Sequence, residues 1–320
     1  EQTYNATGLY NQGIMGQNQT IGILDFGGDP YIQEQLNLYD LIYNLPNTII
    51  NITPIGNYTP QVGVETGWNF EISLDVEISH TMAPKANITL YIANITLNLV
   101  PVIAAIDNYD SVNVLSQSFS IPESEFEFLN ASTVYYNVVL TDYYYLMGSL
   151  EGISFMASTG DAGASGYSAG PLGTVGYPST SPWVTAIGGT TTFIALKDQI
   201  SLDSFGIPDN PASDVLFSNE TAWSNYGFVP YYINYGGGTG GISMFDPQPW
   251  YQNGITLPNP KPVGYPTGRM VPDVSFEASI YPGGVFIFTN STGYPEAFIS
   301  GGTSEASPLF AGLVTLMDQY

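Results

Sequence analysis

The sequence predicts an α/β chain with a doubly wound, mostly parallel central sheet and helices on both faces. Two observations carry the prediction. Short apolar runs that read as buried strands alternate with stretches of helical character. The strand runs are apolar almost throughout, as in strands covered on both faces, and several close on glycine-rich loops.

Taken in order, IGILDFGG (21–28) is a strand that runs into a loop, and 31–43 has helical character. NFEISLDVEISH (69–80) sets Ile72, Val76 and Ser79 on one helical face and stops at Pro84. ITLYIA (88–93) is a strand and 98–108 a helix; Asn94, Asn98 and Pro101 argue against a membrane span over 88–106. VNVLSQSF (112–119), ISFMAST (153–159) and WVTAIGG (183–189) are further strands, with a Tyr-rich helix over 131–150. Residues 190–270, rich in Gly, Pro and Asn, read as long surface loops. The apolar spacing of Leu309, Leu313 and Leu316 predicts a helix after a Gly-rich turn. There is no internal repeat, so 1–320 reads as a single domain. In such a sheet, functional groups belong at the carboxyl ends of the strands.

Composition narrows the function. The 320 residues carry 28 Asp or Glu against four Lys or Arg, a net charge of −24. That charge argues against nucleic acid and anionic membranes as partners. In strong acid the carboxylates are neutral and the chain keeps about +6 at most, so little cationic self-repulsion builds up there. The composition suits an acidic medium. Cysteine is absent, which excludes disulfides and thiolate sites. The N-x-S/T sequons at Asn5, Asn18, Asn51, Asn57, Asn87, Asn94, Asn130, Asn219 and Asn290 predict an exported, glycosylated protein, secreted or at the cell surface. A start at Glu1 rather than Met leads to the expectation of a segment removed upstream.

Three places can carry chemistry. Ser304 lies in GGTSEASP, where a turn of small residues opens a helix and points free backbone N–H groups at the side chain; that suits a nucleophile beside an oxyanion hole, or a plain helix cap. A nucleophilic serine needs a base. The single histidine, His80, lacks flanking glycines and would be protonated in acid. Glu71 and Asp75, four apart, share a helical face; as a close pair they would share protons and could serve as a base at low pH, or they are a solvated face. Asp161 follows a strand in TGDAGASG, at a strand's carboxyl end or in a simple Asx turn.

The motifs together resemble the sedolisins, serine-carboxyl peptidases of subtilisin-like fold. SGGTSEASPLFAGL (300–313) resembles the family's nucleophile motif, FEISLDVEISHTMAP (70–84) its Glu-x-x-x-Asp helix and STGDAGASG (158–166) its oxyanion turn. GYPSTSPWVTAIGGT (176–190), ETAWSN (220–225), GGGTGGISMFDPQPWYQ (236–252), GRMVPDVSFEA (268–278) and YNQGIMGQNQTIGILDFGG (10–28) are similar to its other blocks. The resemblance spans essentially the whole chain. It implies an acid-acting endopeptidase that cleaves proteins or peptides through an acyl-enzyme on Ser304, with Glu71 as base, Asp75 orienting it, and a neutral Asp161 donating to the oxyanion. Asp25 stands where many members extend the proton network, and Phe119 where some carry Trp. The resemblance also implies a propeptide and a calcium ion, with calcium ligands expected beyond residue 320; Asp318 lies too near Ser304 to be one. Two alternatives stand beside this reading: an ordinary subtilisin using Asp25, His80 and Ser304, and an inactive peptidase-like surface scaffold.

Overall fold

A computed structural model describes residues 4–95, 98–126, 131–165, 174–196, 215–225, 236–255, 268–281, 283–291 and 294–320. Its helices are α1 (Thr7–Tyr10), α2 (Ile32–Tyr43), α3 (Gln61–Thr66), α4 (Trp68–Met82), α5 (Val100–Tyr109), α6 (Glu123–Phe126), α7 (Ala131–Val134), α8 (Leu140–Glu151) and α9 (Thr303–Gln319). The strands of the main sheet are β1 (Thr20–Phe26), β2 (Ile50–Ile55), β3 (Asn87–Ala93), β4 (Val114–Gln117), β6 (Ser154–Ser158), β8 (Thr185–Leu196), β9 (Val215–Ala222) and β12 (Val274–Glu277). They run in the order β12-β8-β6-β4-β1-β3-β2, all parallel, with β9 added antiparallel to the far half of β8. Three two-stranded ribbons flank it: β5 (Ile121–Pro122) with β7 (Gly176–Tyr177), β10 (Gly241–Pro247) with β11 (Gly268–Val271), and β13 (Val285–Thr289) with β14 (Glu296–Ser300).

The two-residue period of the strands sorts the core. Along β1, Ile21 and Ile23 join one apolar cluster with Leu36 of α2, Val76 of α4 and Leu309 of α9. Leu24 and Phe26 join the other, with Ile103 of α5 and Tyr145 of α8. Helices therefore cover both faces, as the alternation predicted. The same period carries function. Asp25 follows Ile21 and Ile23 onto the α4/α9 side, near the carboxyl end of β1. Along β4 the period alternates: Ser116 bonds Ser307 of α9 (3.0 Å), whereas Gln117 accepts the Tyr145 hydroxyl of α8 (2.6 Å).

Three readings change. α4 is not amphipathic: residues on every side of it are buried, because it lies between the sheet, α9, α2 and β13. The 131–150 helix is interrupted by a π-helical turn at Tyr135–Val139. Residues 190–270 are not loops throughout; they hold the end of β8, and β9, β10 and β11. Their Gly, Pro and Asn hid antiparallel pairs with little apolar run. Among the described residues, no helix is long and apolar enough to cross a membrane.

Candidate active site

α4 and α9 pack side by side and aim their amino ends at one cleft. Gly312 allows the contact: a Cβ there would meet Met82 Cβ at 2.6 Å. The cleft has a volume of about 430 Å³ and lies over the carboxyl ends of β4 and β6. Ser118, Phe119, Gly160, Asp161, Trp223, Asn225, Ile280 and the 301–304 turn line it.

Ser304 is the second residue of α9, where backbone N–H groups have no carbonyl four residues back. Gly302 opens the helix with φ of +98°, and a Cβ there would sit 2.6 Å from Asp161 Oδ2. That closeness and the left-handed backbone both require glycine. Pro308, four residues beyond Ser304, has no N–H to give its carbonyl. The Ser304 carbonyl instead lies 3.4 Å from the Ser118 hydroxyl.

Behind Ser304 three carboxyl groups are gathered, with no ion pair to any of them among the described residues. Asp25 and Asp75 are fully buried and Glu71 is half-buried in the first turn of α4. Ser118 donates to Asp75 Oδ1 at 2.6 Å. Burial first, then the neighbouring carboxylates, holds Asp25 and Asp75 well above the usual range. Glu71 is raised to about 7 by burial, against a hydrogen bond from Ser304 that lowers it; the charge of Asp161 raises it further. Of the three, Glu71 is the one that the Ser304 hydroxyl bonds, and that bond favours its ionised form.

Asp161 stands on the open side of the cleft, in contact with solvent, at the turn that follows β6. Its Oδ1 accepts the Thr303 N–H and hydroxyl, each at 2.8 Å, and the same hydroxyl accepts the Gly160 N–H at 3.0 Å. Crowding by protein raises its carboxyl, only partly offset by the Thr303 bonds. Oδ2 is left facing Gly302.

The structure thus gathers Ser304, Glu71, Asp75, Asp161 and Asp25 at one cleft, and Phe119 at its wall. It leaves His80 out. His80 is buried nine residues along α4, about 13 Å from Glu71 at the helical rise. Its Nε2 bonds the Pro46 carbonyl at 2.9 Å and lies 3.1 Å from Asp40 Oδ1. The Asp25–His80–Ser304 alternative fails on that placement. His80→Gln is expected to leave catalysis within about twofold and to destabilise the fold by about 1–3 kcal/mol, read as kcat and urea midpoint. Ser118 and Trp223 were not singled out from sequence; Ser118 had only its place at a strand's carboxyl end to mark it.

Similarity to known proteins fits this arrangement. No family model matches the chain. Kumamolisin from Bacillus sp. (strain MN-32) is 29% identical over 317 residues, covering 97% of this chain and 50% of that protein. Sedolisin from Pseudomonas sp. (strain 101) is 30% identical over 177 residues, covering 54% of this chain and 25% of that protein. These similarities support the sedolisin family for this chain. A solved structure of the Pseudomonas sedolisin, described as a serine-carboxyl proteinase complexed with two molecules of pseudo-iodotyrostatin, superposes with a TM-score of 0.72 at 23% identity. It covers 95% of this chain and 76% of that one, and shows the shared fold. The chain spans about half the length of kumamolisin and a quarter of that of sedolisin.

Two expectations drawn from the resemblance meet the geometry differently. Among the described residues no group of three or more Asp, Glu or His could hold a metal ion, so they do not fit a calcium site. Asp318 is exposed on the last turn of α9. Of the sequon asparagines, Asn5, Asn18, Asn51, Asn57, Asn87, Asn94 and Asn219 are exposed. Asn290 is 1% exposed, so a glycan has no room there. Asn130 lies outside the described residues.

Proposed function

We propose that this chain is the catalytic part of a serine-carboxyl endopeptidase that cleaves proteins or peptides in an acidic medium. The carrying observation is the carboxyl cluster Glu71–Asp75–Asp25 behind Ser304, with Asp161 across the cleft and no histidine near. Ser304 Oγ attacks the scissile carbonyl carbon and its proton passes to Glu71. Asp75 shares the resulting charge balance and, held by Ser118, keeps Glu71 aimed. The tetrahedral oxyanion is bound by the Ser304 N–H and by a protonated Asp161. Collapse breaks the C–N bond as Glu71 returns the proton to the amine, leaving an acyl-enzyme. Water then attacks with Glu71 again as base, restoring Ser304.

The pKa directions set the pH range. Asp161 must stay neutral and Glu71 must give up its proton, although each charge disfavours the other. Only one negative charge is productive, and the working form carries it on Glu71. Above pH about 7 Glu71 is ionised, and a rising pH also takes the proton that Asp161 needs as a donor. Export to an acidic exterior, glycans on the exposed sequons, a removed propeptide and calcium held elsewhere in the protein accompany the reading. Hydrolysis of denatured protein should follow a bell on the acid side of neutrality. A maximum at or above neutral pH, or no hydrolysis at any pH, rejects it, the latter in favour of an inactive scaffold.

A further inference from the structure

Away from the triad, a second acidic group is closed inside the protein. Glu123, at the start of α6 and three residues past the cleft wall at Ser120, is 1% exposed. It accepts the Ser243 hydroxyl at 2.5 Å and the Met244 N–H at 2.6 Å, both from β10. Three residues beyond Ser243, Asp246 is 5% exposed. Its carboxyl is hydrogen-bonded to that of Asp142 on α8, and its Oδ2 has no partner among the described residues. Asp142 Oδ1 also accepts the Tyr177 hydroxyl of β7 at 2.9 Å, and Ser181 bonds the same carboxyl.

Two carboxyl groups hydrogen-bond each other only while one keeps its proton. Asp142 already receives the Tyr177 hydroxyl at 2.9 Å, whereas Asp246 Oδ2 receives no donor among the described residues, so Asp142 is the acceptor and Asp246 holds the proton. Among the described residues the surroundings supply no counter-charge. Glu123 faces the pair from α6, Tyr177 from β7, and Tyr145 from α8 with its hydroxyl turned to Gln117. Arg269 of β11 is bound to Asp273 and stacked over Tyr251.

We propose that Asp142 and Asp246 form a proton-operated latch, which in acid ties β10 to α8 behind the cleft wall and opens when the shared proton is lost. Neither residue takes part in the chemistry above, so the latch does not rest on the peptidase reading. Burial raises both groups, and it holds Glu123 up to about 7. The sign follows: the stability they contribute is fully present below the ordinary aspartate value and is lost as pH rises through their raised values. Opening would release the β10 ribbon, and through Glu123 the segment that carries Ser118 and Phe119.

Asp246→Asn tests this, because the amide donates to Asp142 without needing a proton. Thermal midpoints of the full chain are measured from pH 3 to 8 for wild type and variant. Residual hydrolysis is measured after incubation at pH 7.5 and return to acid. The two proteins should melt alike near pH 3. The wild-type midpoint should then fall away from the variant's as pH rises, and inactivation at pH 7.5 should be about tenfold slower in the variant, the change that one pKa unit represents. Parallel melting curves, or a variant that is less stable at every pH, overturn the latch. The melting comparison needs no activity, so it decides even if the chain hydrolyses nothing. Asp142→Asn places the amide on the other side of the same bond. If Asp246→Asn does not fold, the melting curve of Asp142→Asn against wild type decides by the same criterion.

Discussion

Ser304→Ala, Glu71→Gln and the double variant are expected to fall to one common floor, on the order of 10⁴-fold or more below wild type in kcat. Ser304 and Glu71 act as one unit: the serine attacks only if its proton has somewhere to go. In the proposed mechanism Glu71 is the acceptor because it alone of the three carboxyls has the Ser304 hydroxyl as donor. Glutamine keeps the shape but cannot take the proton. Steady-state kinetics at the wild-type optimum, with circular dichroism as the folding control, reads the result. Losses that multiply in the double variant would mean that the two residues act independently and that the base lies elsewhere.

The second large effect belongs to Asp161. Removing one oxyanion donor costs about 10²–10³ in kcat, so Asp161→Ala should be crippled but folded. Asp161→Asn keeps a neutral donor at Oδ2's place, opposite Gly302, and should retain more activity than Ala. The pH dependence separates the two. In wild type, the donor disappears as Asp161 ionises, so activity falls on the alkaline side. In Asp161→Asn that limb should be shallower, because the amide does not titrate. Thr303, whose N–H and hydroxyl both donate to Oδ1, fixes the side chain in either protein. An Asp161→Ala enzyme with wild-type kcat would remove Asp161 from the oxyanion hole.

Much of this site was legible in the sequence because its signals are local. A Gly-Gly-Thr-Ser turn before an apolar run specifies a helix with the serine in its first turn. A four-residue spacing puts Glu71 and Asp75 on one face. A strand that ends in Thr-Gly-Asp puts Asp161 at its carboxyl end. What the spacing could not say was whether that acidic face meets solvent or protein. Only the packing of α4 among α9, α2 and β13 makes Asp75 and Asp25 buried. Ser118 was invisible for a related reason: its partners lie 43 and 186 residues away. The Asp142–Asp246 contact joins α8 to a strand hidden in a glycine- and proline-rich region, so no periodicity announces it. The π turn before α8 likewise has no signature in a run of Tyr, Asn and Val.

The central claim is that Ser304 becomes acylated by a mechanism that carboxyl groups run. Mixing the chain with a peptide ester at acidic pH, quenching within the first turnovers and mapping the mass increment tests it most directly. The account predicts an added acyl group on the peptide that contains Ser304, formed in acid, absent in Ser304→Ala and strongly slowed in Glu71→Gln. Turnover of the ester in acid with no increment on Ser304, or an increment that forms equally fast in Glu71→Gln, would contradict it.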